Sequence, residues 1–148
     1  MFVTYAWAGQ GVPATPDGRL RGEPIADSIG PMQGRDTRGP TAMLRSVCKL
    51  PLGDAIGTPI LNLRLAPEIL RTTEGRRKFE ALVRSYFAMG GMQIQVTVVD
   101  GEVLRDAIAH PERHGDLIVR IGGYSEYFNN LSPELKASVL LRTEHDLS

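Results

Sequence analysis

Residues 119–128, VRIGGYSEYF, set two glycines between a β-branched run and a pair of aromatics. Taken alone, Gly122-Gly123 reads as a turn after a strand. Glycine has a second capacity, because an α-carbon without a side chain reaches conformations and admits close neighbours that other residues cannot. The other candidates for chemistry are sparse. Cys48 is the single cysteine, which excludes an internal disulfide framework and suits a reducing compartment. Within RSVCKL it reads as a small packing residue. His110, His114 and His145 are scattered and lack acid–base partners in sequence, so they read as exposed and solvated and build no metal site of ordinary spacing. Asp17, Gly18 and Arg19 read as a tight turn with a charged flank.

These residues need elements to hold them, and the chain supplies elements unevenly. More than half of the 16 glycines and most of the ten prolines fall within residues 9–59. Proline removes donors and glycine costs backbone entropy, so this stretch predicts extended loop that needs another surface to lie on. One short helix is expected there, in TAMLRSVCKL, where Met43, Val47 and Leu50 can share a face. Residues 1–59 therefore read as a Pro/Gly-rich extended segment and residues 60–148 as an α/β unit. In the second part, Phe79, Leu82, Val83 and Tyr86 have helical spacing that ends at Gly90-Gly91. MQIQVTVVD alternates Ile94, Val96 and Val98 against Gln93, Gln95 and Thr97, a strand with one face inward. GEVLRDAIAHPERHG predicts a short helix stopped near Pro111, and DLIVRI a second strand. Ser132-Pro133-Glu134 opens a last helix that carries Leu135, Val139 and Arg142 on neighbouring turns. The order suggests an α/β unit with residues 92–99 and 116–121 parallel.

At 148 residues the chain has one domain's worth of length. Its 17 basic and 17 acidic residues cancel, which argues against a dedicated nucleic-acid or anionic-membrane surface. No run approaches transmembrane length and MFVTYAWAGQ lacks a basic leader, so a soluble, cytoplasmic protein is expected.

The stretch from Arg120 to Ser125, followed by NNLSPELKASVLLRTEH, resembles the C-terminal signature of the glycyl radical enzymes, which include pyruvate formate-lyase and cobalamin-independent dehydratases. ATPDGRLRGEPIAD, GRDTRGPTAMLRSVCKL, GGMQIQVTVVD and HPERHGDLIVR are also similar to this family, so the resemblance covers nearly the whole chain and leans to the dehydratase and arylsuccinate branches. It implies the C-terminal portion of a ten-stranded α/β barrel, with the glycine loop between a strand and the last helix. Gly123 matches the radical glycine, and Gly122 the variable small position before it. Arg120, Gly122, Tyr124 and Ser125 match loop-supporting positions.

The chemistry explains the residue type. Removing one α-hydrogen leaves a radical shared with the flanking amide nitrogen and carbonyl, which needs a locally planar backbone that a Cβ would crowd. The resemblance implies that no cofactor is bound by this chain, and that a partner activase with an iron–sulfur cluster and S-adenosylmethionine installs the radical. The radical then passes to a cysteine on a barrel portion. Cys48 does not stand in that cysteine's sequence context, so the resemblance implies a cysteine-bearing barrel subunit or homologous enzyme as a second partner, with a homodimer as a further option. A split or truncated enzyme and a radical-domain spare part both fit, and the missing "ATPDGR" block in known spare parts favours the former. A second reading is a non-catalytic binding or assembly module that keeps the fold. For Arg142, a positioning role beside the loop stands against a surface arginine paired with Glu144 or Glu134. For Tyr124, a radical shield stands against a buried core aromatic.

Overall fold

A computed structural model describes residues 4–57, 59–142 and 144–145, so both ends of the sequence lie partly outside the described residues. The elements run α1 (Tyr5–Ala8), α2 (Pro40–Val47), β1 (Leu61–Leu65), α3 (Pro67–Arg71), α4 (Thr73–Ala88), β2 (Ile94–Val98), α5 (Gly101–Ala109), β3 (Ile118–Ile121), β4 (Tyr124–Tyr127), α6 (Pro133–Leu141) and β5 (Glu144–His145). Local chemistry sets most boundaries. Thr72, Asp100 and Ser132 cap α4, α5 and α6 by accepting from the backbone N–H of Gly75, Glu102 and Leu135. Gly90 leaves α4 with a φ of +93°, the left-handed conformation that ends helices. Among the described residues no helix is long and apolar enough to cross a membrane.

The strands differ from expectation in three ways. β1, in ILNLRL, was not foreseen, and it forms the centre of a parallel sheet ordered β2-β1-β5. β3 does not join that sheet: it pairs antiparallel with β4, a strand in a stretch read as loop. The expected parallel pairing of 92–99 with 116–121 is therefore absent. The reason is that the Gly122-Gly123 turn is tight enough to fold the chain straight back on β3, which uses β3's backbone groups locally.

β2 does turn Ile94 and Val96 inward against the α2–α4 side of the core, but its polar face is not left in water. Gln95 and Thr97 are buried, at 5% and 7% exposure, whereas Val98 is 41% exposed. Both faces of the sheet are covered. Leu61, Leu63 and Leu65 pack with α2 and α4 through Met43, Leu44, Val47, Leu82 and Tyr86. On the opposite face Asn62, Arg64, Gln95 and Thr97 form a polar layer, in register as the pairs Asn62–Gln95 and Arg64–Thr97. Beyond that layer lies a second apolar cluster, where Leu104, Val119, Ile121, Phe128 and Val139 meet. Buried polar groups are usually hydrogen-bonded, and this layer finds most of its partners in the backbone of the elements above it, leaving Asn62 Oδ1 and Arg64 Nε without a hydrogen bond. Arg64 donates to the carbonyls of Val139 and Leu140 at the end of α6.

The Pro/Gly-rich segment has no regular structure between Val12 and Gly39, yet it lies on this chain's own surface. The Ile29 N–H donates to the Ile60 carbonyl, Ser28 Oγ accepts from the Ile60 N–H, and Asn62 donates to Asp27 at 2.9 Å. Arg19, at the flank of the expected turn, is 3% exposed and staples the segment by donating to the carbonyls of Val12, Pro13, Leu20 and Glu23.

Candidate functional site: the glycine hairpin

β3 and β4 register Ile121 opposite Tyr124 and Arg120 opposite Ser125, leaving Gly122 and Gly123 as a two-residue turn. Gly122 is buried, and Gly123 is exposed with a φ of +107°. That conformation strains any residue with a side chain. Room is not the constraint at Gly123, since a Cβ there would meet only the Ile60 Cδ1, at 3.4 Å. The spacing of the motif is that of the hairpin. Arg120 Nη1 donates to Ser125 Oγ at 2.9 Å, directly across the two strands. Tyr124 is 42% exposed and so is not the core aromatic that one reading made it; Phe128, fully buried, fills that place.

Arg142 reaches this hairpin from the far side. It is 7% exposed, donates through Nη1 to the Arg120 carbonyl at 2.7 Å, and pairs through Nη2 with the Asp27 carboxylate at 3.0 Å. The alternative of a surface arginine paired with Glu144 or Glu134 is corrected: it sits at the C-cap of α6, where the helix ends against β3. Glu144 pairs instead with Arg64 and accepts from the Gly101 N–H at the start of α5. Asp27 was not foreseen. Nothing in IADSIGP marks it as a counter-ion for a residue 115 positions away. Burial pushes its carboxyl above the usual range, outweighing the pull of Arg142 and the Asn62 amide.

Gln95 reaches the hairpin from below. With its amide oriented so that oxygen meets donors, it accepts from the Gly123 N–H at 3.1 Å and from Gln93 Nε2 at 3.2 Å, and donates to the Ile121 carbonyl at 3.2 Å. Thr97 Oγ1 accepts from the Arg120 N–H at 3.4 Å. The strand's alternation was visible in sequence, but its polar face carried no sign of an inward target.

The remaining candidates lie apart from the glycines. Cys48 packs against the α2–α4 cluster with its thiol 3.8 Å from the Tyr86 carbonyl, and burial pushes its pKa up. None of the histidines lacks an acid partner, and His145 is buried rather than solvated. His110 and His114 both bond the carboxylate of Asp106, at 3.0 and 2.6 Å, and His145 is 3% exposed and bonds Asp36 at 2.6 Å. Helical spacing put Asp106 within reach of His110, and only the turn after Pro111 brought His114 back to it.

The family model described as "Glycine radical" matches residues 25–129. The chain is 41% identical over 140 residues to the trans-4-hydroxy-L-proline dehydratase of Clostridioides difficile, covering 95% of this chain and 18% of that protein. It is 42% identical over 135 residues to the probable dehydratase YbiW of Escherichia coli, covering 90% of this chain and 17% of that protein. Among solved structures, the glycerol-bound, B12-independent glycerol dehydratase of Clostridium butyricum superposes with a TM-score of 0.92 at 38% identity, over 96% of this chain and 18% of that one. The chain thus spans under a fifth of the length of these relatives, with 18% covered in the first. A family match running from the loop that carries Asp27 through the whole hairpin makes this chain a member of the glycyl radical enzyme family, whose glycine radical domain it carries.

Proposed function

We propose that Gly123 stores an organic radical on its α-carbon for a dehydratase- or lyase-type reaction completed by a cysteine-bearing barrel portion. The observation that carries this is the placement of Gly123. It is an exposed glycine at the tip of a hairpin whose base is fixed by Arg142 on one side and by Gln95 on the other. A reagent can reach the α-carbon while the flanking peptides stay in place. One hydrogen atom would leave homolytically for a carbon radical made by an activase from S-adenosylmethionine, so no charge moves through the hairpin. Arg120 and Ser125 hold the strands together, Gly122 provides the buried corner, and Tyr124 stands exposed beside the α-carbon's turn. Arg142 acts as a positioning residue through the Arg120 carbonyl.

One observation favours a second reading, a non-catalytic assembly module. The Arg120–Ser125 bond and the positive φ of Gly123 are both accounted for by the hairpin itself. The test is anaerobic activation with a radical activase and S-adenosylmethionine, with the barrel portion supplied. Electron paramagnetic resonance should show a doublet from the one remaining α-hydrogen. Air should then cut the backbone at Gly123, releasing a fragment that begins YSEYFNN. An intact chain and no doublet would leave the assembly module standing.

A further inference from the structure

The polar layer under the hairpin contains one contact to the radical-bearing residue itself. The Gly123 N–H belongs to the peptide group that would share the unpaired electron, and it donates to the Gln95 side chain at 3.1 Å. The same amide donates to the Ile121 carbonyl at 3.2 Å, so Gln95 spans the turn from residue 121 to residue 123. Gln95 is 5% exposed, and its oxygen also accepts from Gln93 Nε2 at 3.2 Å. Each flanking bond limits rotation of the group, which is how a buried amide becomes a rigid support. Hydrogen bonds between strands do not perform this task, because β2 and β3 lie in different sheets.

We propose that Gln95 is a positioning residue for the glycyl radical, holding the Gly122–Gly123 peptide plane fixed while the α-carbon flattens. This rests on the reading of Gly123 as the radical site. Two effects follow from the geometry. A planar radical needs its own plane to merge with those of the neighbouring peptides, and the Gln95 clamp fixes one of them before the hydrogen leaves. An acceptor on the N–H also increases the electron donation of that nitrogen toward the α-carbon, which favours the radical over the closed-shell residue. Thr97 supports the adjoining strand through the Arg120 N–H and does not touch the turn.

Gln95→Met keeps the length of the side chain and removes the amide, and Thr97→Val removes the neighbouring bond as a control. Two readouts are needed. In wild type, the Gly123 amide should exchange slowly with deuterium although the residue is exposed. Gln95→Met should speed that exchange roughly three- to tenfold, as loss of a hydrogen bond of ordinary net strength does. Thr97→Val should speed exchange at Arg120 and leave Gly123 protected. After anaerobic activation in the presence of the barrel portion, Gln95→Met should give a severalfold smaller yield of radical, with an altered doublet splitting. A freely exchanging Gly123 amide in wild type would overturn the proposal, even if the variant failed to fold. So would a Gln95→Met variant with the wild-type doublet and yield. No radical in wild type, with Gly123 protected and then released by Gln95→Met, would refute the radical reading and leave the clamp in place.

Discussion

The guanidinium of Arg142 joins the Arg120 carbonyl, at 2.7 Å, to the buried carboxylate of Asp27, at 3.0 Å. One side chain at the end of α6 thereby ties the strand leading into the glycines to a loop from the Pro/Gly-rich segment. Removing one member of a buried pair leaves the other charge uncompensated, which costs more than the pair contributes. Arg142→Met should therefore lower stability by about 3–5 kcal/mol, read as a shift in urea midpoint. Arg142→Lys keeps the charge but lacks the fork that serves both partners, so it should fall between the two. Equal midpoints for wild type and Arg142→Met would mean that the hairpin does not depend on this bridge.

Gly123 and Gly122 should respond differently to alanine. At Gly123 a side chain would have to adopt a φ of +107°, a strain on the order of 1–2 kcal/mol. Under the radical reading, Gly123→Ala should also abolish the doublet and the air-dependent cut, whereas Gly122→Ala should spare both. Cleavage that persisted in Gly123→Ala and vanished in Gly122→Ala would place the radical one residue earlier.

Much of this architecture could be read from residue order, and the failures share a cause. α4, α5 and α6 carry helical spacing with caps, and the glycine pair carries its turn. β1 had a signal in the alternation of Leu61, Leu63 and Leu65, but a five-residue strand between prolines is easily passed over. The facing of β2 was legible only as alternation. Which side is buried depends on what covers it, and here the polar side is buried as well, under elements whose backbone it bonds, while Ile94 and Val96 pack on the other side. Asp27, Gln95 and the Asp36–His145 pair were invisible for the same reason. Each acts on a group far along the chain, at a distance set by the fold.

The cluster at the end of α5 should give the chain an acid-sensitive joint. Hydrogen bonds from His114 first and His110 second hold the Asp106 carboxyl below its ordinary value of 3.8. A carboxyl with a lower pKa in the folded chain adds stability above the unfolded value, and that stability is lost as pH falls through the folded one. Wild type should therefore exceed Asp106→Asn in urea midpoint above about pH 4, and the gap should close in stronger acid. A gap that widened on acidification would show that Asp106 is not the group responsible.

The support under the hairpin extends back to the end of α4, which exposes it to a substitution far from the glycines. Gly91 follows the helix so closely that a Cβ there would lie 2.4–2.5 Å from the ring atoms of Tyr86. That ring is fully buried between α2, α4 and the sheet, so it cannot swing clear without disturbing the core. Its hydroxyl donates to the Gln93 carbonyl at 3.1 Å, and the Gln93 side chain in turn bonds the Gln95 amide. Gly91→Ala should destabilise the chain by about 1–3 kcal/mol, the usual cost of overpacking. Tyr86→Phe removes only the hydroxyl and should cost about 1 kcal/mol. The two differ in what they do to the hairpin. Gly91→Ala displaces the ring and should speed deuterium exchange at the Gly123 amide, whereas Tyr86→Phe leaves the ring in place and should speed it less. Unaltered exchange at Gly123 in a folded Gly91→Ala variant would show that Gln95 holds the turn independently of the helix behind it.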